Sequence, residues 1–165
     1  MRIVTVVGNP KPRSRTYAAA EMVVQTLTGR APDERIDLAD LGAELLDWSS
    51  PAVAAALELF VSADLAVVAS PTYKASYTGL LKLFLDRIPG GKLSKLTVVP
   101  LMVAADPKHA LAGEVHLKPV LTELGASCPT AALFLLESHC DQPEALEHWL
   151  STARPRLPIT QKGRR

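Results

Sequence analysis

The stretch that most constrains this chain runs from Leu65 to Ile88, LAVVASPTYKASYTGLLKLFLDRI. Leu65 to Ser70 is apolar or small throughout, without alternation. A run of that kind suits a strand covered on both faces, as in a parallel sheet with helices on each side. Pro71 has no N–H to donate, so the ladder is expected to end there. Thr72 to Thr78 is polar and aromatic with no period, and a helix is expected from Gly79 to Ile88, closed by Pro89-Gly90-Gly91. A buried strand thus delivers a loop to the carboxyl edge of a sheet, where open α/β sheets bind ligands. Pro71, Thr72, Tyr73, Lys74 and Tyr77 are the first candidates for a ligand site.

The rest of the chain repeats the same alternation. Ile3–Val7 reads as a strand and is followed by the loop GNPKPRSRT and the helical segment TYAAAEMVVQTL, which Ser14 or Thr16 can cap. Arg35–Leu38 reads as a short strand, Asp40–Ser50 lacks a clean period, and Pro51–Ser62 reads as a helix. Leu96–Val103 reads as a fourth strand, in which Pro100 implies a bulge or an unpaired N–H side. Ala110–Leu124 reads as a helix containing Pro119, Cys128–Leu136 as strand five, and Pro143–Ala153 as a closing helix. Five βα units in 165 residues predict a flavodoxin-like three-layer α/β sandwich. Its five-stranded parallel sheet has the order 2-1-3-4-5, with helices on both faces. Residues 1–153 form one domain and 154–165 a basic carboxyl-terminal tail.

Composition narrows the function. Net charge is +1, which gives no general reason to expect nucleic acid or membrane. The balance is uneven: five basic residues and no acidic one lie between Arg154 and Arg165, leaving 13 basic against 17 acidic residues in the rest. A solvated tail accounts for this better than a specific anion site. Cys128 and Cys140 match neither a zinc spacing nor a CxxC motif, and they read as reduced thiols of a cytoplasmic protein. The four histidines have no HExxH-like spacing, so no metal is expected, and His116 reads as a surface or interface residue. Ser138 to Asp141 holds residues of triad type, but adjacent residues do not build a triad, and no GxSxG elbow is present.

Two loops remain as carriers of chemistry. The first, Gly8 to Thr16, lies before a helix and offers Asn9, Arg13, Ser14, Arg15 and Thr16. Helix amino termini favour phosphate through free N–H groups and the helix dipole. The same hydroxyls can equally serve only as caps, with the arginines in solvent. Neither GxGxxG nor GxxxxGK[ST] is present. The second loop, Pro71 to Thr78, presents aromatic faces and backbone N–H groups to a flat heteroaromatic ligand. Tyr73 and Tyr77 can instead cover the sheet edge as packing residues.

GNPKPRSRT after the first strand, with SPTYKASYTGLLKLFLDRIP and HLKPVL further on, resembles the NADPH-dependent FMN reductases. The nearest subgroup is the flavin reductases that serve sulfonate monooxygenases. The resemblance covers most of the chain, up to about strand five. It implies hydride transfer from NADPH or NADH to FMN with no catalytic acid or base from the protein. It places Asn9, Arg13, Ser14 and Thr16 on the phosphate loop, with Arg15 beside them. Pro71, Thr72 and Tyr73 lie against the isoalloxazine ring, and Lys74 and Tyr77 belong to the same motif. It also implies a homodimer or homotetramer through the Gly79–Ile88 helix, whose apolar arc is wide. A flavin-dependent monooxygenase is the implied partner. A flavodoxin-like electron carrier or flavin-binding module is the alternative, and the near-neutral charge favours the enzyme.

The chain departs from the family after strand four. AADPKH stands where the family carries a glycine pair. Asp106 either points its charge at the flavin ring or caps the following helix, and both arrangements imply loosely bound flavin.

Overall fold

The structure, a computed structural model, describes residues 1–159. Five parallel strands form one sheet in the order β2-β1-β3-β4-β5, as expected. They are β1 (Ile3–Val7), β2 (Glu34–Asp37), β3 (Leu65–Pro71), β4 (Thr97–Ala104) and β5 (Leu133–Leu136). Helices α1 (Arg15–Thr28), α2 (Leu38–Leu41), α3 (Pro51–Val61), α4 (Gly79–Leu85), α5 (Lys118–Glu123) and α6 (Glu147–Ala153) cover its faces.

The two sides of each central strand serve two cores. Val4, Val6, Ala66, Val68, Val98 and Met102 face Phe60 of α3, Phe84 of α4 and Leu121 of α5. Ile3, Val7, Leu65, Val67, Val99 and Leu101 face Val23 of α1 and Trp149 and Leu150 of α6. Burial on both sides is why these strands are apolar without alternation.

Both strand prolines sit where no donor is needed. Pro71 belongs to β3 and pairs with Val103, and Thr72 beyond it still donates to the Val103 carbonyl at 2.7 Å. The strand therefore ends at Pro71, where the ladder was expected to stop, with the Thr72 bond just beyond it. The Pro71 nitrogen points to the β1 side, and the β1–β3 pairing has already ended at Val7 and Ala69. Pro100 turns its nitrogen toward β5, the side on which Val98 donates to Ser127 at 2.8 Å. Pairing with β5 resumes only at Leu101 and Leu133, so Pro100 faces the gap.

Four segments differ from expectation, and the first is α4, which ends at Leu85 instead of Ile88. Strand five is shorter, because the chain from Cys128 to Ala132 crosses without ladder pairing. Glu114 compensates by accepting from the Ala132 N–H, and Lys118 donates to the Thr130 carbonyl at 2.8 Å. The helix expected over Ala110–Leu124 runs as a π turn (Gly113–Leu117) leading straight into α5, and a separate 3₁₀ turn (Pro107–His109) precedes it in the segment expected as loop. Pro119 cannot donate to Val115, and the wider π turn lets the Lys118 N–H reach Gly113 instead. The last helix starts as a 3₁₀ turn over Pro143–Leu146 and becomes α-helical only at Glu147.

At the carboxyl end, Arg154–Arg156 forms a 3₁₀ turn, Leu157 is buried beside α6, and Arg154 donates to the Thr26 carbonyl. The remainder of the expected basic tail lies outside the described residues. Among the described residues no helix is long and apolar enough to cross a membrane.

Candidate functional site

The loops after β1, β3 and β4 emerge together at the carboxyl edge, because these strands are adjacent and in parallel register. The turn after β5 lies at the far end of the same edge.

The first loop is built by short polar contacts. Asn9, almost buried, accepts from the Lys11 N–H at 2.9 Å and donates to the Thr16 hydroxyl at 3.2 Å. Ser14 caps α1 by accepting from the Tyr17 N–H, so of the two candidate caps Ser14 takes the role. Ser14 is 6% exposed and Thr16 1%, and the amides of Arg15 and Thr16 meet no acceptor among the described residues. The hydroxyl protons of Ser14 and Thr16 are likewise unspent.

Arg13 is held elsewhere. Its φ is +50°, its N–H and guanidinium both donate to Asp37 at 2.9 Å, and the guanidinium also donates to Asp40 at 2.8 Å. It lies 5.3 Å from the centre of the Tyr17 ring. The Asp37 side chain is 2% exposed, so this arginine neutralises a buried carboxylate at the end of β2. Arg15 is more open and pairs with Glu137 at 3.2 Å.

The second loop is a tight hairpin. Tyr73 and Ser76 exchange N–H···O bonds of 2.8 and 3.1 Å around Lys74 (φ +50°) and Ala75 (φ +65°). Positive φ at both central positions is the I′ geometry, which normally selects Asn and Gly. Two side-chain-bearing residues hold it here, and such strained turns cluster at ligand sites. Lys74 and half-exposed Tyr73 therefore project at the loop tip, while Tyr77 packs against the core on the α4 side.

Ser70 and Thr78, which carried no weight in the sequence, lock this hairpin to the first loop. Ser70 accepts from the Thr78 N–H at 3.0 Å, and Thr78 caps α4 while donating to the Gly8 carbonyl. Gly8 sits so close to α4 that a Cβ on it would meet the Leu81 Cβ at 2.5 Å. The Thr before an apolar helical run was a readable cap signal. Nothing local could have indicated its second bond to Gly8.

In the third loop Asp106 takes the capping role of its two alternatives. It accepts from the Lys108 N–H at 2.9 Å and pairs with the Lys108 ammonium at 3.0 Å. These two contacts hold its carboxyl below the usual range. The cationic side chains Arg13, Arg15 and Lys108 are thus each matched by a carboxylate of the same chain.

The donor set suits a flavin mononucleotide. The open amides and hydroxyls at the start of α1 match a phosphate. The Thr72 hydroxyl oxygen is buried with no hydrogen-bond partner, one strand along from them, and a buried polar atom of that kind calls for a partner. The grooves on the surface lie elsewhere, flanking α4. One of about 400 Å³ is lined by Leu57, Val61, Arg87 and Ile88, and one of about 380 Å³ by Leu85, Ile88, Pro119 and Val120. Cys128 and Cys140 are free, with burial pushing each thiol up to about 11.

Known proteins share this sequence and this fold. The chain is 35% identical to the FMN reductase (NADPH) of Escherichia coli over 130 residues, 76% of this chain and 68% of that one. It is 34% identical to the FMN reductase (NADPH) of Pseudomonas putida over 142 residues, 84% and 72% of the two chains. It is also 34% identical to the NADH-dependent FMN reductase SfnF of Pseudomonas fluorescens, over 74% of this chain and 69% of that one. The apo crystal structure of the NADH:FMN oxidoreductase EmoB superposes with a TM-score of 0.80 at 30% identity, covering 98% of this chain and 91% of that one. With residues 1–140 matching the model for NADPH-dependent FMN reductase, the chain belongs to that family.

Proposed function

We propose that this protein is an NAD(P)H-dependent FMN reductase whose first loop holds the flavin phosphate and whose second loop lies against the ring. The observation that carries the phosphate assignment is the set of unspent donors at the start of α1: the Arg15 and Thr16 amides and the buried hydroxyls of Ser14 and Thr16. When FMN is bound it supplies the hydride-accepting chemistry toward NADPH or NADH, so the chain need only bind and orient. Thr72 offers its unpaired hydroxyl, Pro71 and Tyr73 flank the ring, and Lys74 stands at the rim. Pro107 removes one donor from the third loop and Asp106 is committed to its own turn, which supports loosely held, exchangeable flavin. Free thiols accord with work in the cytoplasm.

Reduced flavin is then available to a flavin-dependent monooxygenase or another acceptor. A homodimer or homotetramer is part of this reading, since Leu83 on α4 and nearby Leu46 and Trp48 are exposed beside the two grooves.

Titration of FMN and riboflavin into wild type and Ser14→Ala tests the phosphate assignment. One charge-assisted hydrogen bond is worth about 1.5–3 kcal/mol, so FMN affinity should fall about 10- to 150-fold while riboflavin, which lacks the phosphate, is unchanged. Equal loss for both ligands sinks the assignment. Oxidation of NADPH or NADH by the purified protein, with and without added FMN, tests the reaction itself.

A further inference from the structure

We infer that Glu137 is a carboxylate stand-in for the flavin phosphate on Arg15, and that it lowers the preference of the site for phosphorylated over unphosphorylated flavin. The inference rests on the reading of the α1 terminus as the phosphate site, and it goes beyond that reading in assigning a role to a residue outside the ligand loops.

The two arginines of the first loop are held in different ways. Arg13 is tied through its backbone and its guanidinium to Asp37, through its guanidinium to Asp40, and lies over Tyr17. Freeing it would leave a carboxylate that is 2% exposed without its cation, and uncovering a buried charge is expensive. Arg15 has one ion pair among the described residues, to Glu137, with side-chain exposures of 70% and 42%. Exposed pairs of this kind are weak and exchangeable. Arg15 is also the first residue of α1, directly after the Ser14 cap and beside the open amides. Of the two arginines it is therefore the one that can turn to a phosphate at this terminus.

Glu137 reaches it from the other end of the edge. It is the first residue after β5 and opens the 3₁₀ turn Glu137–His139, 122 positions along the chain from Arg15. β1 and β5 are separated by β3 and β4, so the pair joins two segments that leave non-adjacent strands of the sheet. A phosphate dianion and the Glu137 carboxylate are bidentate acceptors for the same guanidinium and repel each other. A phosphorylated flavin must displace Glu137 to gain Arg15. A flavin without phosphate leaves the Arg15–Glu137 pair in place and loses nothing. Glu137 thus narrows the affinity gap between the two ligands and eases release of FMN.

The test is Glu137→Gln, with FMN and riboflavin affinities measured by flavin fluorescence at low and high salt. Among the described residues Glu137 bonds through its side chain only to Arg15, so the variant should keep the fold, and thermal unfolding checks this. FMN should bind about three- to fivefold tighter and riboflavin within about 1.5-fold of wild type, the size of one exposed ion pair. The FMN gain should shrink in high salt. In an Arg15→Ala background, which itself weakens FMN, the gain from Glu137→Gln should fall below about 1.5-fold, because the two residues act as a coupled pair. Unchanged FMN affinity, or equal tightening of both flavins, overturns the role of Glu137 and leaves the reductase reading intact. A full gain in the Arg15→Ala background overturns the route through Arg15. If wild type binds neither flavin, the reductase reading fails along with this one.

Discussion

Thr78 joins both candidate ligand loops to the start of α4, so its hydroxyl gives a sharp test of how the candidate site is held. Thr78→Val keeps the β-branched shape and removes only the hydroxyl. Two bonds are lost. The Leu81 N–H loses its cap, which costs about 1 kcal/mol at a helix start. The Gly8 carbonyl loses its Thr78 donor at a site where Thr78 is 3% exposed, which costs about 1–3 kcal/mol more. The expected loss is about 2–4 kcal/mol. In a domain of this size 1 kcal/mol moves Tm by about 2–4 °C, so Tm should fall by about 4–16 °C. Thr78→Ser retains the hydroxyl and gives up one methyl, for about 0.8 kcal/mol. Denaturant unfolding of the three proteins, with FMN titration alongside, separates the terms. FMN affinity should fall in Thr78→Val and return in Thr78→Ser, because the hydroxyl sets the distance between the loops. A loss below about 0.5 kcal/mol for Thr78→Val, or a Ser variant as unstable as the Val variant, would refute this account, since packing alone would then explain the residue.

Two further perturbations follow from the geometry. Ala75→Gly should raise stability by about 0.5–1 kcal/mol, read as a higher Tm, because Ala75 holds a φ of +65° in the Tyr73–Ser76 hairpin and glycine adopts that region without a Cβ penalty; a lower Tm would show that the turn is not strained. Asp33 accepts from Arg30 and the Ile3 N–H, which bring its carboxyl from 3.8 down to about 2. A lowered folded value means stability that is present above the unfolded value and lost in acid. The advantage of wild type over Asp33→Asn should therefore be full above pH 3.8 and vanish as pH falls through about 2, and urea unfolding across that window would expose a pH-independent difference if the pair were inert.

The extent to which the sequence announced this molecule depends on how local each feature is. Runs such as Ile3–Val7 and Leu65–Ser70 are apolar on both sides because both sides are buried, and their spacing with helical segments is enough to specify a parallel sheet of known order. Gly29 after α1 and Pro51 at the start of α3 mark helix ends by backbone chemistry that acts within a few residues. The motifs GNPKPRSRT and PTYKASYTG, being contiguous, carried the family and the two candidate ligand loops.

Other features exist only because the sheet brings distant residues together. The hairpin at Lys74-Ala75 lacks the Asn-Gly signal, and its positive φ values are imposed by the Ser70 and Thr78 bonds on either side. Arg13 looked equivalent to Arg15 in the sequence; the end of β2 lies beside the first loop, and Asp37 and Asp40 claim Arg13 alone. Asp106 could have faced a ligand or its own turn, and a bond to the Lys108 N–H decided between them. Glu137 carried no local sign of a role, since its partner stands 122 residues away in the chain. Propensity and periodicity act over a few residues, so the amino-acid sequence by itself determined the order of the strands, most of the elements and the candidate ligand loops. Which charged side chain in those loops is tied to a buried carboxylate and which meets only an exposed one is a matter of ångström distances between strand ends, and only the tertiary structure decided it.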